Sequence, residues 1–125
     1  MPMLRTIWLC ALLIGWALPA FADGNAVEGR KVSIKFCARC HVIGDYNRYG
    51  GIDSTPSFQL LARRDDVEDL VRTFYARPPH PVFVRVPGVP RRSNAPAYAS
   101  EFMVTPGDIE NLVAFVLTLK NWKRR

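Results

Sequence analysis

The sequence predicts a small all-α domain of three to four helices with one long proline-rich loop. Three observations carry that expectation. Asp65 to Ala76 opens with three acidic residues in its first turn, then places Val67, Leu70, Val71 and Phe74 at helical spacing. Thr105-Pro106-Gly107-Asp108 has the form of a capping box with proline at the first helical position; Ile109, Leu112, Val113, Val116 and Leu119 continue it as an apolar stripe, with Phe115 beside. Between these helices, Arg77 to Val104 carries most of the prolines and no clear element. A stretch of that length without regular structure, inside a compact domain, is usually functional.

The remaining elements follow in chain order. Residues 1–22 read as a secretory signal peptide. Arg5 supplies the positive start, Ile7 to Leu18 is an apolar run too short to span a membrane, and Ala20-Phe21-Ala22 is an A-x-A cleavage site before Asp23. Cys10 lies inside that apolar run. Export after Ala22 places the mature chain, residues 23–125, in the periplasm as one small domain. Asn25 is placed to cap a first helix from about Ala26 to Phe36. Asp45 to Ser54, rich in glycine and tyrosine, reads as a loop. Phe58 to Ala62 reads as a short helical turn. Arg77-Pro78-Pro79 stops the helix that begins at Asp65.

Charge narrows the partners. Removing Arg5 from the 17 basic residues leaves 16 against 11 acids, a formal +5 for residues 23–125. Such a surface favours acidic proteins or an anionic membrane surface, acting mainly on association rate. Ordinary solubilising charge accounts for it equally well. Nucleic acid is not expected, since no binding motif is present.

The chemistry sits at Cys37-Ala38-Arg39-Cys40-His41. These residues read C-x-x-C-H, the sequence form of a covalent c-type haem attachment site. Two thiols three positions apart can each join one vinyl group of a haem, and His41 then meets the iron as the proximal ligand. A redox dithiol does not need His41. A zinc site needs a second pair of ligands, yet residues 23–125 hold no further cysteine and one further histidine, His80. One covalent haem c per chain is therefore the expected cofactor.

From these residues outward, the sequence resembles a class I, monohaem cytochrome c. Gly29 lies eight residues before Cys37, where that family places a glycine so that first and last helices cross closely. Glu110-Asn111-Leu112-Val113-Ala114-Phe115 resembles the family's closing-helix signature, with Leu112 and Phe115 as expected partners of Gly29. Ser33 departs from the aromatic residue that relatives often carry in that crossing. Pro56 resembles the family proline whose carbonyl accepts a hydrogen bond from the proximal histidine; a plain turn proline is the simpler reading. The resemblance implies a cytochrome c-like fold wrapped around one haem.

The sixth iron ligand stays open at this level. Relatives often supply a methionine before the last helix, but the positions that correspond here are Ala95 or Ala99. Met103 is the one methionine of residues 23–125 and lies two residues before Thr105. His80 sits between Pro79 and Pro81 at the start of the long loop. His80, Met103 and an open site are the three alternatives. Arg77, Arg85, Arg91 and Arg92, with Tyr46, Tyr49 and Trp122, are candidates for the haem propionates.

The expected function is a periplasmic electron carrier without enzyme activity of its own. It would exchange single electrons with a dehydrogenase and an oxidase or reductase, as a monomer in transient complexes. A five-coordinate haem protein that binds or senses NO, CO or O2 is the alternative. A subunit dedicated to one periplasmic enzyme is a third.

Overall fold

The structure, a computed structural model, describes residues 23–52 and 54–123. The expected signal peptide, with Cys10, lies outside the described residues. Four helices make up the frame: α1 (Ala26–Val32), α2 (Phe58–Leu61), α3 (Val67–Arg72) and α4 (Pro106–Thr118). Two short strands, β1 (Val84–Arg85) and β2 (Phe102–Met103), join them, so the fold is mostly helical but not purely so. No helix among the described residues is long and apolar enough to cross a membrane.

Three of the four helices begin where a side chain serves the free amides of the first turn. Asn25 Oδ1 accepts from Val27 and Glu28 N–H, and Ser57 Oγ accepts from Leu60 N–H. At α4 the expected box is complete: Thr105 Oγ1 accepts from Asp108 N–H, and Asp108 Oδ2 accepts from Thr105 N–H. At α3 the acidic opening works differently. Asp65 and Asp66 precede the helix, and Asp66 pairs with Arg64 instead of capping. After Arg72 the chain tightens into a 3₁₀ turn over Phe74–Ala76.

α1 and α4 cross at Gly29. A Cβ on this residue would lie 1.8 Å from the Asn111 carbonyl oxygen and 2.8 Å from Phe115 Cβ. Only a residue without a side chain permits that approach. The partners are thus the Asn111 backbone and Phe115; Leu112 is buried in the core nearby. Ser33 fits the same crossing without an aromatic ring. It is wholly buried, and its hydroxyl donates to the Gly29 carbonyl at 2.6 Å.

α3 packs along α4, and Arg72 secures the pair. Its guanidinium donates to both carboxylate oxygens of Glu110 and, on its own helix, to Glu68.

The apolar side chains separate into two clusters. The larger holds Ile43, Phe58, Val71, Leu112, Phe115 and Val116. The smaller lies under the proline-rich segment and holds Phe83, Val84, Val86, Val104 and Ile109. Val32 and Phe74, both partly buried, touch both clusters and line the seam between them. The proline-rich segment, expected to lack elements, contains a 3₁₀ turn at His80–Val82 and the parallel pair Val84↔Phe102, Arg85↔Met103.

Candidate haem site

The C-x-x-C-H stretch begins where α1 changes pitch. From Ser33 to Cys37 the helix widens into a π-helical turn, closed by Ala38 N–H donating to the Ser33 carbonyl. π-bulges of this kind frequently occur at functional sites. The chain then doubles back tightly, with both Cys40 and His41 N–H donating to the Cys37 carbonyl. Cys37, Cys40 and His41 are thereby gathered on one turn. Both sulfurs are free thiols and partly buried. Burial, with Cys40 as a smaller contribution, pushes the Cys37 thiol up to about 12. That is opposite to the depressed value an attacking redox thiolate requires.

His41 is set by two backbone anchors. Its Nδ1 lies 2.7 Å from the Pro56 carbonyl oxygen. A carbonyl can only accept, so Nδ1 carries the proton and Nε2 keeps its lone pair for a metal. Phe58 packs edge-on against the ring at 5.3 Å between centroids. Burial lowers the His41 pKa from its ordinary 6.5, and the Pro56 hydrogen bond opposes that shift. A neutral imidazole is the form that binds metal.

The loop after the motif is sewn to it. Ile52 N–H donates to the Cys40 carbonyl and Phe58 N–H to the Val42 carbonyl. Gly51, at φ +87°, lets the loop lie against Cys40; a Cβ there would sit 3.2 Å from the Cys40 oxygen. Asn47, which the sequence did not single out, forms the central clamp. Its Nδ2 donates to the carbonyls of Ala38 (2.8 Å) and His41 (2.9 Å), while its Oδ1 accepts from Ile43 N–H (2.7 Å). Its one visible signal was an asparagine inside a glycine-rich loop close behind the motif.

His80 comes to the same region from the other cluster. Its ring lies nearly parallel to that of His41, at 7° between planes and 6.2 Å between centroids. Phe74 and Phe83 present edges to it at 5.2 and 5.8 Å. The His80 Nδ1 donates to the Arg77 carbonyl at 3.0 Å, so it too leaves Nε2 unprotonated. Burial is the main cause of its lowered pKa, and the nearby His41 adds to it.

Met103 is placed elsewhere. It stands 59% exposed on β2, in register with Arg85. Among the propionate candidates, Arg77 pairs with Asp69, while Arg85 and Arg91 both pair with Glu101. Arg85 also donates to the carbonyls of Pro81, Val82 and Val84, which makes it the pin of the turn that carries His80. Trp122 lines a separate open pocket of about 590 Å³ with Arg48, Gln59 and Arg63. Tyr46 and Tyr49 are exposed in the loop after the motif.

Among the described residues, no group of three or more His, Cys, Asp or Glu side chains could enclose a metal ion. A haem asks less of a protein, because the porphyrin supplies four nitrogens and leaves only axial positions. The donor set fits that demand: two thiols for the vinyl groups, one oriented imidazole beside them, and a partly buried apolar seam. Val32, Leu70 and Phe74 are partly buried and pack against the larger cluster, in which Phe58 and Phe115 are buried. No protein-family model, curated protein or solved structure matches the chain.

Proposed function

We propose that this chain is an exported c-type cytochrome that carries single electrons between periplasmic redox proteins. The observation that carries the reading is the Nδ1–H of His41 donating to the Pro56 carbonyl at 2.7 Å, directly beside the free thiols of Cys37 and Cys40. This bond sets an imidazole for iron on the turn whose sulfurs are spaced for haem attachment. When bound, haem c supplies a reversible one-electron iron couple.

The chain's own residues have distinct tasks in this reading. Cys37 and Cys40 would hold the haem through thioethers, each S–H adding across one vinyl C=C so that the sulfur and the hydrogen both end on carbon and no oxidant is needed. His41 would offer Nε2 to the iron, and Pro56 keeps its tautomer. Asn47 keeps the turn closed. Val32, Phe58, Leu70, Phe74 and Phe115 exclude water from the ring, which limits reorganisation and sets the potential. The chain performs no catalysis of its own. A dehydrogenase would supply electrons and an oxidase or reductase would take them, through a small and weak interface. Export with cleavage after Ala22 belongs to the same proposal, since two free thiols in an oxidising compartment are accounted for if haem occupies them.

The test is expression in a bacterium able to mature c-type cytochromes. The recovered protein should take one electron per chain from a reductant and return it to ferricyanide, without binding carbon monoxide. A haem that is reduced but immediately captured by carbon monoxide would replace the carrier with the gas-binding alternative.

A further inference from the structure

Resting on the haem reading above, we infer that His80 is the second axial ligand, so that the iron is held between two imidazoles. The spacing of the rings carries this. Metal–imidazole nitrogen bonds are about 2 Å long. Ring bonds of about 1.33 Å put each nitrogen roughly 1.1 Å from the centroid of its ring. A metal held between two opposed imidazoles therefore separates their centroids by about 6.2 Å, and the rings of His41 and His80 are 6.2 Å apart and within 7° of parallel.

The surroundings of the two rings agree. Both commit Nδ1 to a backbone carbonyl, Pro56 for His41 and Arg77 for His80. Both therefore offer Nε2, and in both a carbonyl acceptor raises the basicity of the ligand. His41 is anchored in one apolar cluster through Phe58, and His80 in the other through Phe83. The seam lined by Val32 and Phe74 runs between these clusters. The turn bearing His80 is fixed: its N–H also donates to the Arg77 carbonyl, and Arg85 ties down the carbonyls of Pro81 and Val82. Met103, the sulfur alternative, stays at the surface.

Two consequences follow. Replacing a thioether by an imidazole leaves the reduction potential lower. Filling the sixth position closes the iron to small gases.

Spectra of the haem-loaded protein decide the matter. Wild type should be low-spin in both oxidation states and should not take up carbon monoxide when reduced. His80→Ala should become high-spin on reduction, bind carbon monoxide within the mixing time, and return to low spin on addition of imidazole. Met103→Ala should leave the spectra unchanged. Haem-loaded wild type that binds carbon monoxide at once overturns the inference, as does His80→Ala with wild-type spectra. A spectral change in Met103→Ala also overturns it. If His80→Ala fails to accumulate, the wild-type spectra and Met103→Ala decide together: a low-spin wild type inert to carbon monoxide and unchanged by Met103→Ala supports His80, and any other result overturns it. Recovery of chain without haem instead overturns the preceding reading, and this one with it.

Discussion

Asn47 holds His41 from across the loop, donating from Nδ2 to the His41 carbonyl at 2.9 Å while a second bond reaches Ala38. One side chain thus closes the turn that carries Cys37, Cys40 and His41. Asn47→Ala strips three hydrogen bonds from partly buried backbone groups, at about 1–3 kcal/mol for each group left unsatisfied. The urea midpoint of the haem-loaded protein should fall clearly. Asn47→Asp keeps the acceptor for Ile43 N–H but sets a carboxylate against two carbonyls, so it should rescue little. A midpoint equal to wild type for Asn47→Ala would remove the clamp from the account.

The crossing at Gly29 makes a second prediction. Gly29→Ala puts a methyl 1.8 Å from the Asn111 oxygen, in contact with backbone that cannot swing aside. Overpacking of this kind costs about 1–3 kcal/mol or more. Denaturant unfolding should show the loss. Gly88→Ala serves as the contrast: its φ of +76° also strains a side chain, but nothing lies within 4 Å of the added atom. Equal losses in the two variants would mean that helix contact is not what Gly29 provides.

Arg72 and Glu110 join α3 to α4 through an exposed pair. A double-mutant cycle on Arg72→Gln and Glu110→Gln should give a coupling of about 0.5–1 kcal/mol, reduced by salt. Coupling near zero at low salt would assign the packing of these helices to Val67, Val71 and their apolar neighbours alone.

Acid should act on the two imidazoles in a predictable window. Burial lowers the pKa of both His41 and His80 below the ordinary 6.5. The folded protein therefore binds fewer protons there than the unfolded chain. Stability from the neutral imidazoles is kept above pH 6.5 and lost as pH falls through the lowered values. Iron on Nε2 would compete with the proton in the same direction, so an optical titration of the haem-loaded protein should show the low-spin spectrum persisting well below pH 6.5 before it gives way. A transition centred at or above pH 6.5 would contradict ligation by two buried, neutral imidazoles.

The parts of the fold legible in the sequence were those set by neighbours in the chain. The capping box at Thr105 and Asp108 needs only a four-residue reading. Gly29 was legible through the resemblance, which marks a glycine at that distance from the motif; Phe115, an expected partner, meets it, and the Asn111 backbone is the contact that was not foreseen. Where distant residues decide, the reading fell short. The expected helix to Phe36 widens into a π-helical turn at Ser33, a residue buried in the α1–α4 crossing, and that crossing with a distant helix is not visible in the local pattern. Asp65 and Asp66 looked like a helix start, but Arg64 captures Asp66. The parallel pairing of β1 with β2 joins segments 18 residues apart in register, and no local pattern in a proline-rich stretch announces it. Arg85 could be a propionate partner on sequence grounds; its bonds to three carbonyls and Glu101 arise only once the turn at His80 exists.

Intact-mass spectrometry of the exported protein, produced in a host that matures c-type cytochromes, tests the central claim most directly. The account predicts the mass of residues 23–125 plus one iron protoporphyrin, retained after denaturation and acid extraction. A bare polypeptide mass, or a haem that washes away under those conditions, would contradict it.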